Sequence, residues 1–255
     1  MPRGPDPSSI ELAARLHANA ELATILTTSR LSPSITEVVI QGDLNLVGPP
    51  GSDVMIRVLD AKGRYVRRRY SVRGIDASAA SFALWIVTSH EGPGATWAST
   101  AQAGDLVDVV GPRGKITLDP LADWHLFVGD TSGLAAFYRM AQSIEVPGRA
   151  IFIVEVARMD DALTAPFDEG LGVTGIFVDR QSRPHDDSSG LLSGLSAFAL
   201  PPDLGHAYVF GEFHVMRAIA SALGDRGLEE HQISTKAFWR TGRHNAEMGE
   251  PERDV

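Results

Sequence analysis

Residues 67–73, Arg67-Arg68-Arg69-Tyr70-Ser71-Val72-Arg73, gather four guanidinium groups, a phenol ring and a hydroxyl in one short segment. A ring can stack on a planar ligand, a hydroxyl can bond the ligand's edge, and fixed guanidinium groups can hold phosphates. That is the set a flavin dinucleotide needs. Directly upstream lies the apolar run Val54 to Leu59. As a strand, the basic segment places Arg68, Tyr70 and Val72 on one face and Arg69, Ser71 and Arg73 on the other. Arginines also guard exposed strand edges, so a solvated basic edge accounts for the same residues.

Four more segments have types and spacing suited to chemistry. After the run Phe82 to Thr88 comes His90-Glu91-Gly92-Pro93-Gly94-Ala95-Thr96-Trp97-Ala98. Its glycines allow a phosphate close to the backbone, and N–H groups at a helix start favour an anion. An ordinary turn with Trp97 as a core anchor reads equally well. Gly129-Asp130-Thr131-Ser132-Gly133 joins an apolar strand to a helix, the place where dinucleotide pyrophosphates sit in parallel sheets, although no GxGxxG is present. At Phe210-Gly211-Glu212, Glu212 suits either a nicotinamide carboxamide or a helix N-cap. The tail carries Lys236, Phe238, Trp239, Arg240, Arg243 and His244, aromatics among cations. These residues could close over a ring and an anion, or anchor a terminal strand.

The elements that must position these residues can be read from periodicity. Residues 8–26 read as an amphipathic helix, with Ser8 and Glu11 at capping-box spacing and Leu12, Leu16, Ala20, Leu22, Ile25 and Leu26 as its stripe. From Ser34 to Leu118 short β runs alternate with Gly, Pro and Asp turns, the texture of a small closed barrel. After Asp119-Pro120, strands alternate with helices, which indicates a parallel α/β sheet. Residues 179–190 read as a mobile surface loop. The expected domains are a helical extension at 1–30, a β-barrel at 31–120 and a nucleotide-binding α/β domain at 121–255 with a C-terminal substrate element.

Composition narrows the class. The chain has 255 residues, 44% apolar, with a net charge of −9. An acidic chain is a poor general partner for nucleic acid, yet its clustered arginines suit a small anionic ligand. No apolar run is long enough to span a bilayer, no leader-like segment is visible, and a cytoplasmic location is expected. With no cysteine, disulfides, thiolate metal sites and a Cys nucleophile are excluded. No metal-ligand set is evident.

The series RRYS-V-R, GPxxxWA, GDLVDVVGPRG, GDTSGLAA, FGE and KAFWRTGRHNAE resembles the siderophore-interacting protein family, over about residues 30–250. These are flavin-dependent ferric-siderophore reductases of the ferredoxin-reductase-like superfamily. The resemblance implies an antiparallel Greek-key FAD barrel, a parallel-sheet NAD(P)-binding domain and a cleft between them. It implies that Arg68, Tyr70 and Ser71 contact FAD, with Arg73 and Thr88 beside them, and that Gly92, Pro93, Gly94, Ala95, Thr96 and Trp97 hold the pyrophosphate. Gly129, Asp130, Thr131, Ser132, Glu212 and Trp239 would face the nicotinamide nucleotide. Relatives commonly have His where Thr88 stands and Ser where Ala95 stands, and they lack the N-terminal extension.

The chemistry so implied is hydride transfer from NAD(P)H to FAD, with Ser71 and Tyr70 at the reacting ring, then single-electron reduction of Fe(III). Lys236, Arg240 and Arg243 would attract the anionic ferric siderophore, the expected small-molecule partner, for which a monomer suffices. Arg158, just after the strand at 151–156, favours NADPH, while Glu155, Asp160 and Asp161 keep NADH open. Two alternatives stand beside this reading: a flavin reductase of the same scaffold with another acceptor in a biosynthetic pathway, and a non-redox siderophore- or anion-binding protein.

Overall fold

Strands such as Phe82–Val87 bury every second side chain, as one inward-facing surface requires. The computed structural model describes residues 4–146, 149–162 and 174–242. The chain divides into two units, Met1–Thr117 with Tyr138–Met140, and Leu118–Phe137 with Ala141–Val255.

The first unit is a closed six-stranded barrel of β1 (Asn19–Arg30), β2 (Ile35–Gln41), β3 (Asp53–Leu59), β4 (Tyr65–Asp76), β5 (Ser81–Val87) and β6 (Leu106–Arg113). Around the barrel the order is β1-β2-β5-β4-β3-β6, and every neighbouring pair is antiparallel. Ile25, Val38, Ile40, Val54, Ile56, Val72, Phe82 and Leu84 fill the interior. Helix α2 (Pro93–Thr100) adds Ala98 to that core, and Trp97 packs against it.

Helix α1 (Pro7–Leu16) is shorter than its apolar stripe predicts. It stops at His17, which turns left-handed at φ 50°, and residues 19–30 form barrel strand β1. The β-branched series Thr24, Ile25, Thr27 and Thr28 explains the difference. A strand there pairs with β2 on one side and β6 on the other and closes the barrel, and tertiary pairing overrides a helical spacing. The N-cap is Asp6, which accepts from the Ser8 N–H, so the Ser8–Glu11 capping box does not form. Arg57 ties the helix to the barrel, reaching Asp6 at 3.0 Å and Asp108 at 3.3 Å. Ala13 packs on Met55 and Val110.

The second unit is a parallel sheet of β7 (Trp124–Asp130), β8 (Ala150–Val156), β9 (Thr174–Asp179), β10 (Gly205–Glu212) and β11 (Ile233–Trp239), in the order β11-β10-β7-β8-β9. Helices α3 (Leu134–Ala141), α4 (Met159–Ala162), α5 (Ser189–Ala197) and α6 (Phe213–Asp225) connect or follow its strands. The strand order reverses between β7 and β10, so their carboxyl ends form the switch point where such sheets bind ligands. Helix α5 is not foreseen by the sequence, because glycine and serine dominate it. Packing demands its glycines: a Cβ on Gly190 would lie 2.4 Å from the Arg183 guanidinium, and one on Gly194 would lie 3.1 Å from Ile153. The stretch before α5, read as a mobile loop, is tied to the sheet: Arg183 donates to the Asp179 carbonyl at 2.9 Å and to Glu155 at 3.1 Å.

Candidate functional site

On β4 the alternation divides the basic segment into two faces with different jobs. Tyr70 packs against the barrel core and stacks on Trp97, with ring centroids 6.2 Å apart and planes 25° from parallel. Burial pushes its phenol well above the ordinary value, against the opposing pull of Arg68, so the hydroxyl keeps its proton. Tyr70 also lies against the start of α2: a Cβ on Gly94 would sit 1.9 Å from the tyrosine oxygen and 3.5 Å from Arg68 Cγ. Only glycine lets the helix start rest on that surface.

The start of α2 has no side-chain cap. Its N-cap is Gly92, Pro93 opens the first turn without an N–H, and the Thr96 N–H closes back on the Gly92 carbonyl at 2.9 Å. The Gly94 and Ala95 N–H groups, in the first turn, have no partner within the helix, and a Cβ on Gly94 would lie 3.5 Å from Arg68 Cγ. In contrast, α1 and α6 are capped by their own acidic residues. A dinucleotide pyrophosphate fits this donor set, and the Tyr70 and Trp97 rings provide the adjoining aromatic surface. Thr88 bonds to its neighbours in the barrel: its N–H donates to the Ser34 carbonyl at 2.8 Å, and its hydroxyl lies 3.4 Å from that of Thr36. Ala95 is buried.

The opposite face of β4 holds Arg69, Ser71 and Arg73. Ser71 is buried and donates to Asp53 Oδ1 at 2.8 Å, and Arg69 donates to Asp53 Oδ2 at 2.7 Å. Asp53 is a residue the sequence reading missed. Its signal was an acid at the head of an otherwise apolar strand, directly across from Ser71 in the register. Arg73 stacks over Trp85 at 4.8 Å, and burial lowers its pKa.

In the second unit, the carboxyl ends of β7, β10 and β11 join in one buried network. Asp130 caps the turn at 131–133 through the Ser132 N–H at 2.8 Å. Its other oxygen accepts from the Glu212 N–H at 2.9 Å and from Trp239 Nε1 at 3.0 Å. Glu212 is the N-cap of α6, accepting from the His214 and Val215 N–H groups, and its second oxygen accepts from the Thr241 N–H at 3.0 Å. Thr131 donates to the Glu155 carbonyl at 3.4 Å. Gly129 permits this convergence, since a Cβ there would lie 1.8 Å from the Phe210 carbonyl of the next strand. Both Asp130 and Glu212 therefore hold structure together in this arrangement.

The cations group differently from their sequence order. Lys236 is only 3% exposed, with its ammonium 5.8 Å from the Phe210 ring and 5.2 Å from that of Phe238. Arg240 covers Phe213 at 4.8 Å. Arg243 and His244 lie outside the described residues. Arg158 is exposed, 3.6 Å from Asp160. Glu155 is buried at the end of β8, where desolvation raises its pKa against the opposing hydrogen bond from Arg183.

A separate cluster sits at the amino ends of β10 and β11. His206 contacts Asp119 at 3.1 Å and Ser234 at 2.9 Å, a Ser–His–Asp arrangement. Ser234 and His206 are buried, and the backbone N–H of Asp119 is directed to the Tyr208 hydroxyl at 2.7 Å. The group joins strand starts at the opposite end of the sheet from the switch point. Among the described residues, no acidic and histidine cluster could hold a metal ion, and no helix is long and apolar enough to cross a membrane.

Comparison with known proteins agrees with this fold. A family model for the siderophore-interacting FAD-binding domain matches residues 44–116, and one for siderophore-interacting protein matches residues 122–242. A mycobacterial relative, an uncharacterized protein of Mycobacterium tuberculosis, is 32% identical over 191 residues, 69% of this chain and 65% of its own. The chain thus spans about 65% of the length of the mycobacterial relatives it matches. Ferric vibriobactin reductase ViuB of Vibrio cholerae is 25% identical over 203 residues, 78% of this chain and 73% of its own. Among solved structures, a siderophore utilization protein from T. fusca superposes with TM-score 0.75 at 25% identity, covering 90% of this chain and 95% of that one. A ferredoxin NADP+ reductase from Neisseria gonorrhoeae with bound FAD and NADP superposes with TM-score 0.70 at 18% identity, covering 86% and 99%, and shows the shared fold. The barrel and parallel sheet are the ferredoxin-reductase-like fold, and the chain belongs to the siderophore-interacting protein family.

Proposed function

We propose that this protein is an FAD-dependent NAD(P)H oxidoreductase that reduces the Fe(III) of a siderophore so that iron leaves as Fe(II). The observation that carries the reading is the uncapped start of α2, with glycine at positions 92 and 94, laid against Arg68 and Tyr70 inside a segment matched by an FAD-binding family model. Bound there, FAD would supply two-electron acceptance from a nicotinamide and one-electron donation to iron.

The residues of the chain have the following proposed roles. The Gly94 and Ala95 N–H groups and Arg68 bind the pyrophosphate, and Thr96 closes the turn beneath it. Tyr70 and Trp97 present the aromatic surface, and Ser71 bonds the edge of the flavin ring. Arg73, stacked on Trp85, adds positive charge on the Ser71 face. In the second unit the turn at 129–132 offers N–H groups to the nicotinamide nucleotide. Asp130, Glu212 and Trp239 fix the strand ends that shape it. Each NAD(P)H supplies a hydride, hence two electrons, enough for two ferric ions with net release of one proton.

For the substrate, Arg240 and Arg243 would meet the anionic chelate, while Lys236 adds its charge from beneath the Phe210 and Phe238 rings. Ferrous iron carries less charge than ferric iron and holds hard oxygen ligands less firmly, so reduction loosens the chelate. NADPH is the proposed donor, with Arg158 at the end of β8 as the 2′-phosphate partner. Burial of Glu155 under Arg183 supports this, because the acid that would prefer a free ribose is already paired.

The test is anaerobic addition of NADPH to the FAD-loaded protein, followed by a ferric siderophore and an Fe(II) trap. Bleaching of the flavin, then its return together with trapped Fe(II), is the expected result. Bleaching with no Fe(II) from catecholate and hydroxamate chelates would assign another acceptor. Failure to take up FAD would refute the reading.

A further inference from the structure

We propose that Asp53 fixes the direction of the Ser71 hydrogen bond and thereby raises the reduction potential of the flavin, a role that rests on the flavin reading above. Asp53 opens β3 directly across from Ser71 and is fully buried. One carboxylate oxygen accepts the Ser71 hydroxyl at 2.8 Å, and the other accepts from the Arg69 guanidinium at 2.7 Å. A hydroxyl has a single proton and two lone pairs. Here the proton is committed to an ion-paired carboxylate, so Ser71 meets any further group as an acceptor only. Hydrogen bonds to an ionised partner are about twice as strong as neutral ones, so a neutral ligand does not readily redirect it.

That direction has a redox consequence. The N5 atom of a flavin is a bare acceptor when oxidised and an N–H donor when reduced. An acceptor-only hydroxyl at that edge opposes the oxidised form and pairs with the reduced one. The couple takes two electrons and two protons, as hydride from the nicotinamide plus one proton from solvent. Ser71 keeps its own proton throughout. Asp53 is therefore a positioning residue that acts through Ser71.

The experiment is a spectroelectrochemical titration of the FAD-loaded protein and of Ser71→Ala and Asp53→Asn, alongside flavin-binding titrations. The sign of the Ser71→Ala shift is decisive. Loss of an acceptor destabilises the reduced flavin and lowers the potential, whereas loss of a donor destabilises the oxidised flavin and raises it. Ser71→Ala is expected to lower the reduced-to-oxidised ratio about tenfold, which is about 30 mV downward for a two-electron couple. Asp53→Asn frees the hydroxyl to donate and should shift the same way, and the double variant should fall no further than the single ones. A Ser71→Ala potential that rises or stays put overturns the proposal, and it does so even where Asp53→Asn fails to fold. Either result in a protein that binds FAD leaves the reductase reading standing, whereas an unaltered protein that takes up no flavin removes both.

Discussion

Replacing Gly94 by alanine places a methyl group where the Tyr70 hydroxyl already is. The new Cβ would be 1.9 Å from the tyrosine oxygen and 3.2 Å from Cζ, against 3.4 Å or more in ordinary contact. Either the ring or the start of α2 must therefore retreat by about 1.5 Å, a displacement large on the scale of close-packed interiors. The ring cannot swing aside freely, because Trp97 and the barrel core enclose it. Overpacking of this kind costs about 1–3 kcal/mol in a core. Moving α2 also separates its N–H groups from Arg68, and losing about 1.5–3 kcal/mol of charge-assisted bonding corresponds to FAD binding weaker by about ten- to a hundredfold. Flavin fluorescence titration would measure the affinity, and thermal unfolding of the flavin-free protein would measure the packing cost. Gly224→Ala is the control: nothing lies within 4 Å of its Cβ and the residue is in α6, so it should be neutral or slightly stabilising. A Gly94→Ala protein with unaltered FAD affinity and unaltered melting temperature would refute the reasoning.

Two further predictions concern the second unit. Burial, aided by the charge of His206, lowers the pKa of His125 from 6.5 to about 4. The unfolded chain then binds more protons than the native one between those values, so stability should fall as pH drops from about 6.5 through 4, by about 3 kcal/mol in all. Urea melts across that window should show the slope, and His125→Asn should flatten it; an equal slope in the variant would exclude His125 as its source. Glu212→Ala removes the α6 cap and the anchor of Thr241 together, which should destabilise the protein by about 2–4 kcal/mol without any nucleotide present. Denaturation of the nucleotide-free variant checks this, and unchanged stability with lost NADPH binding would instead make Glu212 a cofactor contact.

The legible parts of the sequence were those where local pattern and tertiary role coincide. The strand Phe82 to Val87 alternates because one face is the barrel interior, Val54 to Ile56 is apolar throughout because both faces are covered, and the strand-to-helix change after residue 120 marks the parallel sheet. β1 was hidden because Leu22, Ile25 and Leu26 satisfy a helical stripe, while its true partners, β2 and β6, lie far along the chain. Glu212 was ambiguous in principle: an acid between a strand and a helix looks the same whether it caps the helix or meets a ligand. Lys236 read as a cation for an anionic substrate, yet it alternates with Ser234 and Phe238, and in β11 both Ser234 and Lys236 are buried. Asp53 escaped because its meaning depends on the register of β3 against β4, which no local window contains.

The closure of the barrel by β1 also has a bearing on how the chain acquires its shape. Asn19 pairs with Gly111 and Thr24 with Leu106, so the first strand made is completed by the last strand of its unit. During synthesis β1 must wait, with one edge unsatisfied, until nearly the whole unit has left the ribosome, and such distant pairings form slowly. Helix α1 and β1 are contiguous, and Asp6, Arg57 and Asp108 draw together α1, β3 and β6. The amino-terminal segment can therefore make its full set of contacts only once β3 and β6 are in place.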